Sequence, residues 1–391
     1  MSKVAIASCC NYCMPAVEDA IDELFGALGY DFSDFIKPGM TVFLKPNWVA
    51  SRWRASAPHV DTLYSVITHP AIIEAVADRV ARALNGNGTI LIGDNPSIDA
   101  DFEELMEFTG IRKLTTKYDV PCEIMDLRPL VCKDLRDYGK KDKAVAQTGD
   151  PRGEVSVNLG KHSLLYGVDS SLFRGVFDER EDTIAAHTGE TQQYSFSKSL
   201  YDADVYISIP KMKTHQKVGV TLNLKGLVGS IADKNQLVHW RIGTPETGGD
   251  EYPDIESYEA AKGQKITHRG AHPGNDTIWR MVVDLYHAMM QKERKCFSIV
   301  DGIIAGEGQG PFCPHSKNAG KLVAGDDPLA VDLVTTRYMG FRPEKLRYLN
   351  WFLENGYDLD TIDVIGEAQF FASESRYLDF DAASQWKDTK I

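Results

Sequence analysis

Hydrophobic residues recur at two alternating spacings through the first third of the chain. Apolar side chains at helical intervals run from residue 17 to 28 and again from 70 to 84, and such intervals predict amphipathic helices. Short continuous apolar runs at residues 41–44 and 89–92 are typical of buried strands. Strands and helices that alternate in this order predict parallel crossover connections and a doubly wound sheet.

The second half of the chain repeats this alternation. The strands and helices predicted there cover residues 204–209, 277–290, 297–300, 321–324, 328–339 and 343–353. Residues 129–200 are polar instead and hold only short candidate strands, such as 155–158. We therefore expect an α/β fold with a mostly parallel doubly wound sheet and a polar, partly β insertion in the middle.

This pattern divides the chain into four predicted segments. They are an N-terminal α/β half at 1–128, an insertion or β-rich lobe at 129–200, a C-terminal α/β half at 201–345, and a helical and irregular tail at 346–391. Within the third segment, residues 239–273 lack periodicity and are rich in glycine, proline and polar residues. Loops of this length in compact proteins often cover a site, so we expect a lid here; a surface loop without that role is the alternative.

Several predicted strands end abruptly in polar residues. The five polar ends lie at Lys45–Trp48, Gly93–Ser97, Pro210–His215, Asp301–Gly302 and Gly325–Asp327. Ligands of open parallel sheets bind outside the carboxyl ends of the strands, so these segments predict one shared site. The alternative is that each Asp or Asn only caps the next helix or turn.

The strongest chemical signal is a group of basic residues in an acidic chain. Four lysines, at 211, 213, 217 and 225, surround His215, although the formal net charge of the chain is -13. Such a group suits a carboxylate or a phosphate. The acidic balance argues against nucleic acid and anionic membranes as partners. The sequence has no Walker A motif and no Gly-x-Gly-x-x-Gly after the first strand, so it shows no nucleotide fingerprint.

These residues lead to a specific assignment of roles. The predicted catalytic residues are His215, Lys213 and Asp301. The predicted substrate-binding residues are Lys45, Asn47, Asp94, Lys211, Asn223 and Lys225. A divalent metal, if one binds, is expected on oxygen ligands from Asp94, Asp301 and Glu307. The lid residues are predicted to be Arg241, Asp250 and Glu251, with Arg269, His239, His268 and His272 as further basic groups.

The seven cysteines are scattered and odd in number, which favours a reducing compartment over a disulfide framework. Cys9, Cys10 and Cys13 contain one Cys-x-x-Cys, which is too few ligands for a zinc or iron–sulfur site by itself. The N-terminal segment is typical neither of a signal peptide nor of a membrane anchor. No apolar run approaches the roughly 18 residues of a membrane span. We expect a cytoplasmic protein.

The chain resembles the family called domain of unknown function 362. The similar segments are Val42–Asn47, Thr68–Pro70, Gly93–Asp94, Lys211–His215, Asn223–Gly226, Asp301–Gly302, Gly306–Gly308, Gly310–Pro311 and Gly325–Pro328 with Asp332. Relatives fused to ferredoxin-type modules imply an electron-transfer partner. This chain lacks the Cys-x-x-Cys-x-x-Cys-x-x-x-Cys-Pro run, so a bound iron–sulfur cluster is not expected. A weaker similarity runs to the nickel-pincer lactate racemase group, as analogy only.

Three hypotheses remain open from the sequence. The first is an enzyme acting on a small anionic metabolite, as an acid/base isomerase or a redox enzyme. The second is a metal-binding or iron–sulfur-linked redox protein, and the third is a noncatalytic ligand-binding module. The substrate, the reaction, the cofactor and the oligomeric state are not fixed by the sequence.

Overall fold

A computed structural model describes residues 1–52, 62–264 and 269–391. The strands of the described residues are β1 (Ser2–Ser8), β2 (Thr41–Pro46), β3 (Thr89–Asp94), β4 (Cys122–Asp126), β5 (Leu130–Val131), β6 (Val145–Ala146), β7 (Glu154–Asn158), β8 (Phe173–Arg174), β9 (Gln193–Ser197), β10 (Val205–Ile209), β11 (Lys211–His215), β12 (Gly219–Val220), β13 (Trp240–Arg241), β14 (Lys295–Glu307), β15 (His315–Gly325) and β16 (Ile362–Val364). The helices are α1 (Met14–Leu28), α2 (Phe32–Phe35), α3 (Pro70–Leu84), α4 (Phe102–Thr109), α5 (Glu181–Ala186), α6 (Lys198–Tyr201), α7 (Leu222–Gly226), α8 (Ile255–Ala261), α9 (Ile278–Met290), α10 (Pro328–Tyr338) and α11 (Arg347–Glu354).

The central feature is a 10-stranded sheet whose main path runs β16-β1-β15-β14-β10-β2-β3-β4. The neighbours from β14 to β4 are all parallel, as are β1 and β16. Only β15 on this path is antiparallel to both neighbours, β1 and β14. The predicted α/β class and mostly parallel sheet are therefore confirmed.

Helix α3 shows how local sequence sets an element. Pro70 occupies the first turn, where its missing N–H costs nothing. His69 caps the helix, since its side chain accepts a hydrogen bond from the backbone of Ala71 at 3.1 Å. Asn85 ends the helix in the left-handed conformation at φ 47°, which asparagine tolerates better than most residues. The predicted boundaries, 70 and 84, match the observed ones.

The sheet separates two hydrophobic layers, because alternate residues of each strand face opposite sides. On one side, Leu44, Ile90 and Ile207 pack with the apolar faces of α1 and α3. On the other side, Phe43 and Tyr206 pack with the layer that contains α9, α10 and α11. Burial on both faces explains why these strands appear in the sequence as continuous apolar runs.

The prediction for the residues that follow β10 was wrong. Residues 211–215 were predicted to be a polar loop, but they form the buried strand β11. Pro210 interrupts the ladder, and β11 then pairs in parallel with the second half of the 13-residue strand β14. Proline removes a backbone donor and so favours such a break. The lysines of this segment are consequently buried.

The middle segment is attached to the second layer by a buried carboxylate. The candidate strand predicted at 155–158 is part of β7. Strand β7 pairs with β9 in antiparallel fashion. Asp284 of α9 accepts hydrogen bonds from Ser163, from the backbone of Leu164 and from Tyr194. Burial raises the pKa of Asp284 to about 7. The contacts hold residues 163–194 against α9.

Residues 239–273 are more regular than the sequence predicted. Their first residues form β13, which pairs with β8, and residues 255–261 form α8. Asp254 caps this helix by accepting a hydrogen bond from Ser257, so the helix has a local signal that the absence of periodicity obscured. Residues 265–268, including the predicted lid residue His268, lie outside the described residues.

The C-terminal tail contributes to the main sheet and core. Strand β16 pairs in parallel with β1, and Phe370, Phe380 and Trp386 belong to the same hydrophobic layer as α9. The indole of Trp386 donates a hydrogen bond to the carbonyl of Gln216 at 2.7 Å, just after β11. The division of the chain into four segments stays a prediction.

Candidate functional site

The site is built on β11 and on the ends of β2 and β3. Lys211, Lys213 and His215 occupy alternate positions of β11, so their side chains leave the same face of that strand. Lys45 lies at the end of β2 and Asp94 at the end of β3, and these two strands are parallel neighbours. The chain therefore brings basic residues from three strands to one edge of the sheet.

Lys45 and Asp94 form a buried ion pair at this edge. The ammonium of Lys45 lies 2.9 Å from Asp94 Oδ1. Asp94 Oδ2 accepts the backbone N–H of Trp48 at 2.6 Å, and Oδ1 accepts that of Asn95 at 2.9 Å. Gly229 packs directly on the pair, where a Cβ atom would stand 2.0 Å from Asp94 Oδ1. Both charged groups are thus fixed, and the position opposite them requires glycine.

Lys211 belongs to a second buried group, the Tyr12 network, which consists of Tyr12, His69, Lys211 and Asp301. Lys211 Nζ donates to Asp301 Oδ2 at 2.6 Å and to the Tyr12 hydroxyl at 3.2 Å. Tyr12 donates to Asp301 Oδ1 at 2.8 Å and stacks on the His69 ring at 3.6 Å between centroids. The backbone N–H of His69 also donates to Asp301, at 2.9 Å.

The Tyr12 network changes the interpretation of two predicted site residues. Lys211 Nζ has a third acceptor in the carbonyl of Ile304 at 3.0 Å, so all three of its N–H groups are engaged. Asp301 and Lys211 are both 0% exposed. The structure pairs Asp301 with Lys211 and gives it no hydrogen bond to His215 among the described residues. Removing either partner of such a pair would leave an uncompensated buried charge.

Lys213 is buried without a carboxylate partner among the described residues. Its ammonium donates to the carbonyl of Val66 at 2.6 Å, to that of Pro311 at 3.3 Å and to Asn47 Oδ1 at 3.4 Å. Burial, and then the positive charges of Lys211 and Lys225, place the pKa of Lys213 well below its usual value. Asn47, predicted to bind substrate, therefore contacts Lys213 in the structure, and Lys213 loses its proton more readily than an ordinary lysine.

His215 is held in one tautomer by its own loop. Its Nδ1 accepts the backbone N–H of Lys217 at 3.0 Å, so the ring proton of the neutral imidazole sits on Nε2. Burial, followed by the charge of Lys225, lowers the pKa of His215 well below 6.5. The ring is neutral at pH 7, and Nε2 has no hydrogen-bond partner in the part of the chain that the structure describes. His215 can therefore donate a hydrogen bond to a ligand.

Lys225 is the centre of the charged residues. Its side chain is only 8% exposed, and within the described residues its ammonium forms no hydrogen bond or ion pair. Burial and the neighbouring Lys45 lower the pKa of Lys225 to about 8. Its charge in turn lowers the pKa of other basic residues close to it. We call this group the cation cluster: Lys45, Lys213, His215, Lys217, Lys225, Lys234 and His239.

Two lysines of the cation cluster were not among the assigned site residues. Lys217 donates to the carbonyl of Arg269 at 2.6 Å and lies 4.1 Å above the ring of Trp240. Lys234 is buried and donates to the carbonyl of Asn95 at 3.0 Å, directly beside Asp94. Burial lowers the pKa of each to about 7. Lys234 follows Lys225 in the same glycine-rich segment, which is the sequence signal that could have identified it.

Asn223, which was predicted to bind substrate, forms hydrogen bonds within the protein. Its Nδ2 and backbone N–H both donate to Asp332 Oδ1, at 2.8 Å and 2.9 Å. Its Oδ1 accepts the hydroxyl of Ser298 at 2.7 Å. The amide is engaged on both sides and holds the first turn of α7 to α10. Asn223 therefore positions Lys225, which lies two residues later.

The predicted lid residues form the base of the segment that they belong to. Asp250 accepts hydrogen bonds from the backbone of Arg241 and from Thr277 Oγ1, both at 2.6 Å. Glu251 pairs with Arg269 at 3.3 Å. These carboxylates are committed to contacts within residues 241–277. The connection between this segment and the cation cluster is instead the hydrogen bond from Lys217 to Arg269.

The predicted metal ligands are not gathered in one place. Asp94 pairs with Lys45, Asp301 with Lys211, and Glu307 with Lys317 at 2.9 Å. Among the described residues, no three His, Cys, Asp or Glu side chains are grouped so that they could hold a metal ion. Basic residues occupy the positions around these carboxylates, and they would repel a cation.

The N-terminal cysteines lie beside the Tyr12 network. All seven cysteines are free thiols. Cys9 is buried, with its thiol directed at the carbonyls of Asn11 and Ala16, whereas Cys10 and Cys13 are exposed. Burial raises the pKa of the Cys9 thiol.

Within the described ranges, no helix has the length and apolar character needed to cross a membrane.

Comparison with known proteins places the chain in a family. The domain of unknown function DUF362 matches residues 42–150 and 147–337, which together contain β11, the cation cluster and all of β2 but its first residue. The chain belongs to the DUF362 family. A thylakoid-associated protein of Synechocystis sp. is 24% identical to this DUF362 chain over 323 residues, 82% of the chain and 68% of the relative. The resemblance predicted from the strand-end segments is confirmed.

Two solved structures are distantly similar to this DUF362 protein. One is a protein from Thermotoga maritima, with a TM-score of 0.38, 12% identity, and coverage of 88% of this chain and 59% of the other. The second is the lactate racemase apoprotein of Thermoanaerobacterium thermosaccharolyticum, with a TM-score of 0.33, 12% identity, and coverage of 77% and 50%. The chain thus spans about half of the lengths of these two proteins, and similarity at this level assigns no function.

Proposed function

We propose that the cation cluster binds a small anionic metabolite and that the protein acts on it by proton transfer. The observation that carries this proposal is Lys225, a nine-tenths buried ammonium without a hydrogen-bond partner among the described residues. Burying an unpaired charge is costly, and a bound anion would remove the cost. Donors on Lys225, Lys217 and His215 would contact the anion.

The proposed chemistry uses two groups whose pKa values are shifted. Burial and the charges of Lys211 and Lys225 lower the pKa of Lys213 well below its usual value, which is the direction that a general base requires. His215 presents Nε2–H, so it would stabilise negative charge on a substrate oxygen and donate a proton to it. Asn47 would orient the Lys213 side chain through the contact at 3.4 Å. An acid and a base close together suit an isomerase.

The binding step is tested by thermal shift against a panel of carboxylates and sugar phosphates. We expect a stabilising compound for the wild-type protein, and little or no shift for Lys225→Met. Lys161→Met is the matched control, because Lys161 is an exposed lysine that pairs with Glu190 away from the cluster. A compound that stabilises all three proteins equally would show that the cation cluster is not its binding site.

The catalytic step is tested separately by incubating the stabilising compound with the protein in deuterated water. Proton NMR would show deuterium entering the compound at one carbon, at a rate that falls in Lys213→Met. A compound that binds but is recovered without deuterium and without any other change supports the noncatalytic alternative. That result would retain the binding proposal and reject the proposed chemistry.

The redox alternative is kept for Cys10 and Cys13, which are exposed and therefore accessible to a partner. Anaerobic purification, followed by metal analysis and an absorption spectrum, tests it. Stoichiometric iron or zinc that is lost in Cys10→Ser and Cys13→Ser would favour an electron-transfer partner. The expected cytoplasmic location also stays a proposal, to be tested by cell fractionation.

A further inference from the structure

The charges around Lys225 are strongly unbalanced. Within the described ranges, Asp94 is the one carboxylate that forms a hydrogen bond to a member of the cation cluster, and its partner is Lys45. Asp250 and Glu251 are close enough to act on Lys217, but each is already paired with an arginine. The lysines at 213, 217, 225 and 234 therefore have no carboxylate within ion-pair distance among the described residues.

Resting on the proposed function, we infer that the cation cluster takes a dianionic oxyanion group, of the kind that a phosphate monoester carries. A single carboxylate would balance one lysine and leave the others uncompensated. A compact tetrahedral group offers three oxygen acceptors and two charges to donors that approach from several directions. Lys217 and Lys234 both lie near enough to Lys225 for its charge to act on them, and His215 adds a neutral donor.

The lysines reach this arrangement through backbone features of one segment. Gly229 allows the chain to pass directly over the Lys45–Asp94 pair, and its carbonyl accepts the N–H of Asn95 at 2.9 Å. Asp332 fixes the first turn of α7 and so the start of the segment that carries Lys225 and Lys234. The cluster is therefore a built structure, in contrast to lysines that lie together by chance on a surface.

A dianion would also change the protonation of the cluster. Without one, burial and mutual repulsion hold the pKa of Lys217 and Lys234 at about 7 and that of Lys225 at about 8. The titratable and charged groups facing these three lysines are Lys45, Asp94, Asp126, Arg128, Lys213, His215, His239, Asp250, Glu251 and Arg269. Two added negative charges raise the lysine pKa values again. Binding at pH 8 must therefore take up protons from the buffer.

Isothermal titration calorimetry at pH 8 measures both effects. Sulfate is the main probe, since it stays dianionic throughout the neutral range, and inorganic phosphate, acetate and succinate are the comparisons at constant ionic strength. Each titration is repeated in two buffers of different ionisation enthalpy, so that the difference in heat gives the number of protons taken up. Lys225→Met is the test variant, and Lys161→Met is the control.

We expect sulfate and phosphate to bind the wild type and the control with uptake of roughly one to two protons. Acetate should bind at least about tenfold more weakly, and Lys225→Met should bind sulfate about tenfold or more weakly with less proton uptake. Acetate that binds as tightly as sulfate, succinate as the only tight ligand, or binding without proton uptake would overturn the inference but keep an anion site. If no probe binds, or if Lys225→Met binds all of them unchanged, the proposed function fails as well.

Discussion

Gly229 and Asp94 approach so closely that a Cβ atom at position 229 would stand 2.0 Å from the carboxylate oxygen Oδ1. The same Cβ would stand 2.8 Å from Lys45 Nζ. Neither partner can move easily, because Asp94 is also held by two backbone N–H groups. The Lys45–Asp94 pair and the segment that carries Lys225 are therefore packed tightly against each other, so that one cannot move without the other.

Gly229→Ala should disrupt the packing of this segment on the Lys45–Asp94 pair. We expect a loss of about 1–3 kcal/mol in the free energy of unfolding, as for other overpacked sites, together with weaker anion binding. Gly226→Ala is the matched control, because a Cβ there meets no atom within 4 Å. Urea denaturation and sulfate titration of both variants provide the measurement. Equal behaviour of the two variants would show that the close approach at Gly229 is not a constraint.

Breaking the Tyr12 network by removing one charged partner should destabilise the fold strongly. Asp301→Asn or Lys211→Met breaks a fully buried pair and should cost about 3–5 kcal/mol in the free energy of unfolding. Tyr12→Phe removes one hydroxyl and should cost about 1 kcal/mol. Chemical denaturation measures all three. A cost below about 1 kcal/mol for both pair variants, with a large loss of activity, would instead support the predicted catalytic role of Asp301.

Asp284 should make stability depend on pH. Its pKa is raised to about 7 in the folded protein from a usual value of 3.8, so the folded state binds the proton more tightly than the unfolded state. The corresponding stabilisation is complete below pH 3.8 and is lost as the pH rises towards 7. The midpoint temperatures of thermal unfolding of wild type and Asp284→Asn should therefore converge or cross between these two pH values. The wild type should lose more stability than the variant as the pH rises.

The control for this pH effect is Asp363→Asn, which removes an exposed carboxylate on β16. It changes the net charge by the same amount and should leave the slope against pH as in the wild type. If Asp284→Asn keeps the wild-type slope too, the hydrogen bonds from Ser163, Leu164 and Tyr194 hold Asp284 ionised in the folded protein.

Residues 239–273 should respond to a ligand in the cation cluster. The base of this segment is anchored by Asp250, whereas Lys262 at the end of α8 is exposed. Lys217 connects the segment to the cluster through the carbonyl of Arg269. We expect tryptic cleavage at Lys262 in the free protein and slower cleavage in the presence of sulfate. Equal rates, or unchanged sulfate binding after deletion of residues 245–253, would show that the segment is not a lid.

The sequence predicted the sheet well because its strands have strong local signals. Residues 41–46 and 89–94 are continuous apolar runs that end in polar residues, and their neighbours in space follow from parallel crossover rules. The contact between Lys45 and Asp94 follows from the same rule, since both residues end adjacent parallel strands. The sequence placed Lys213 and His215 just after the strand at 204–209, and the structure places them on β11, which follows β10 directly.

The Tyr12 network could not be predicted from the sequence. Tyr12 lies between β1 and α1, and its partner Asp301 is 289 residues away along the chain. Lys211 in a polar run also resembles a loop residue, and only its pairing with β14 shows that it is buried. The sequence carries no local signal that distinguishes a lysine buried against a distant carboxylate from one that is free to bind a ligand.

The most direct test of an anion site at the cation cluster is anomalous diffraction from selenate. Crystals grown without sulfate or phosphate would be soaked in selenate, and selenium located from its anomalous signal. We predict a peak within hydrogen-bond distance of Lys225 Nζ, contacted also by Lys217 or His215, and its absence in Lys225→Met crystals. Peaks confined to exposed surface lysines in wild-type crystals, with none near Lys225, would contradict the assignment of this cluster as an anion site.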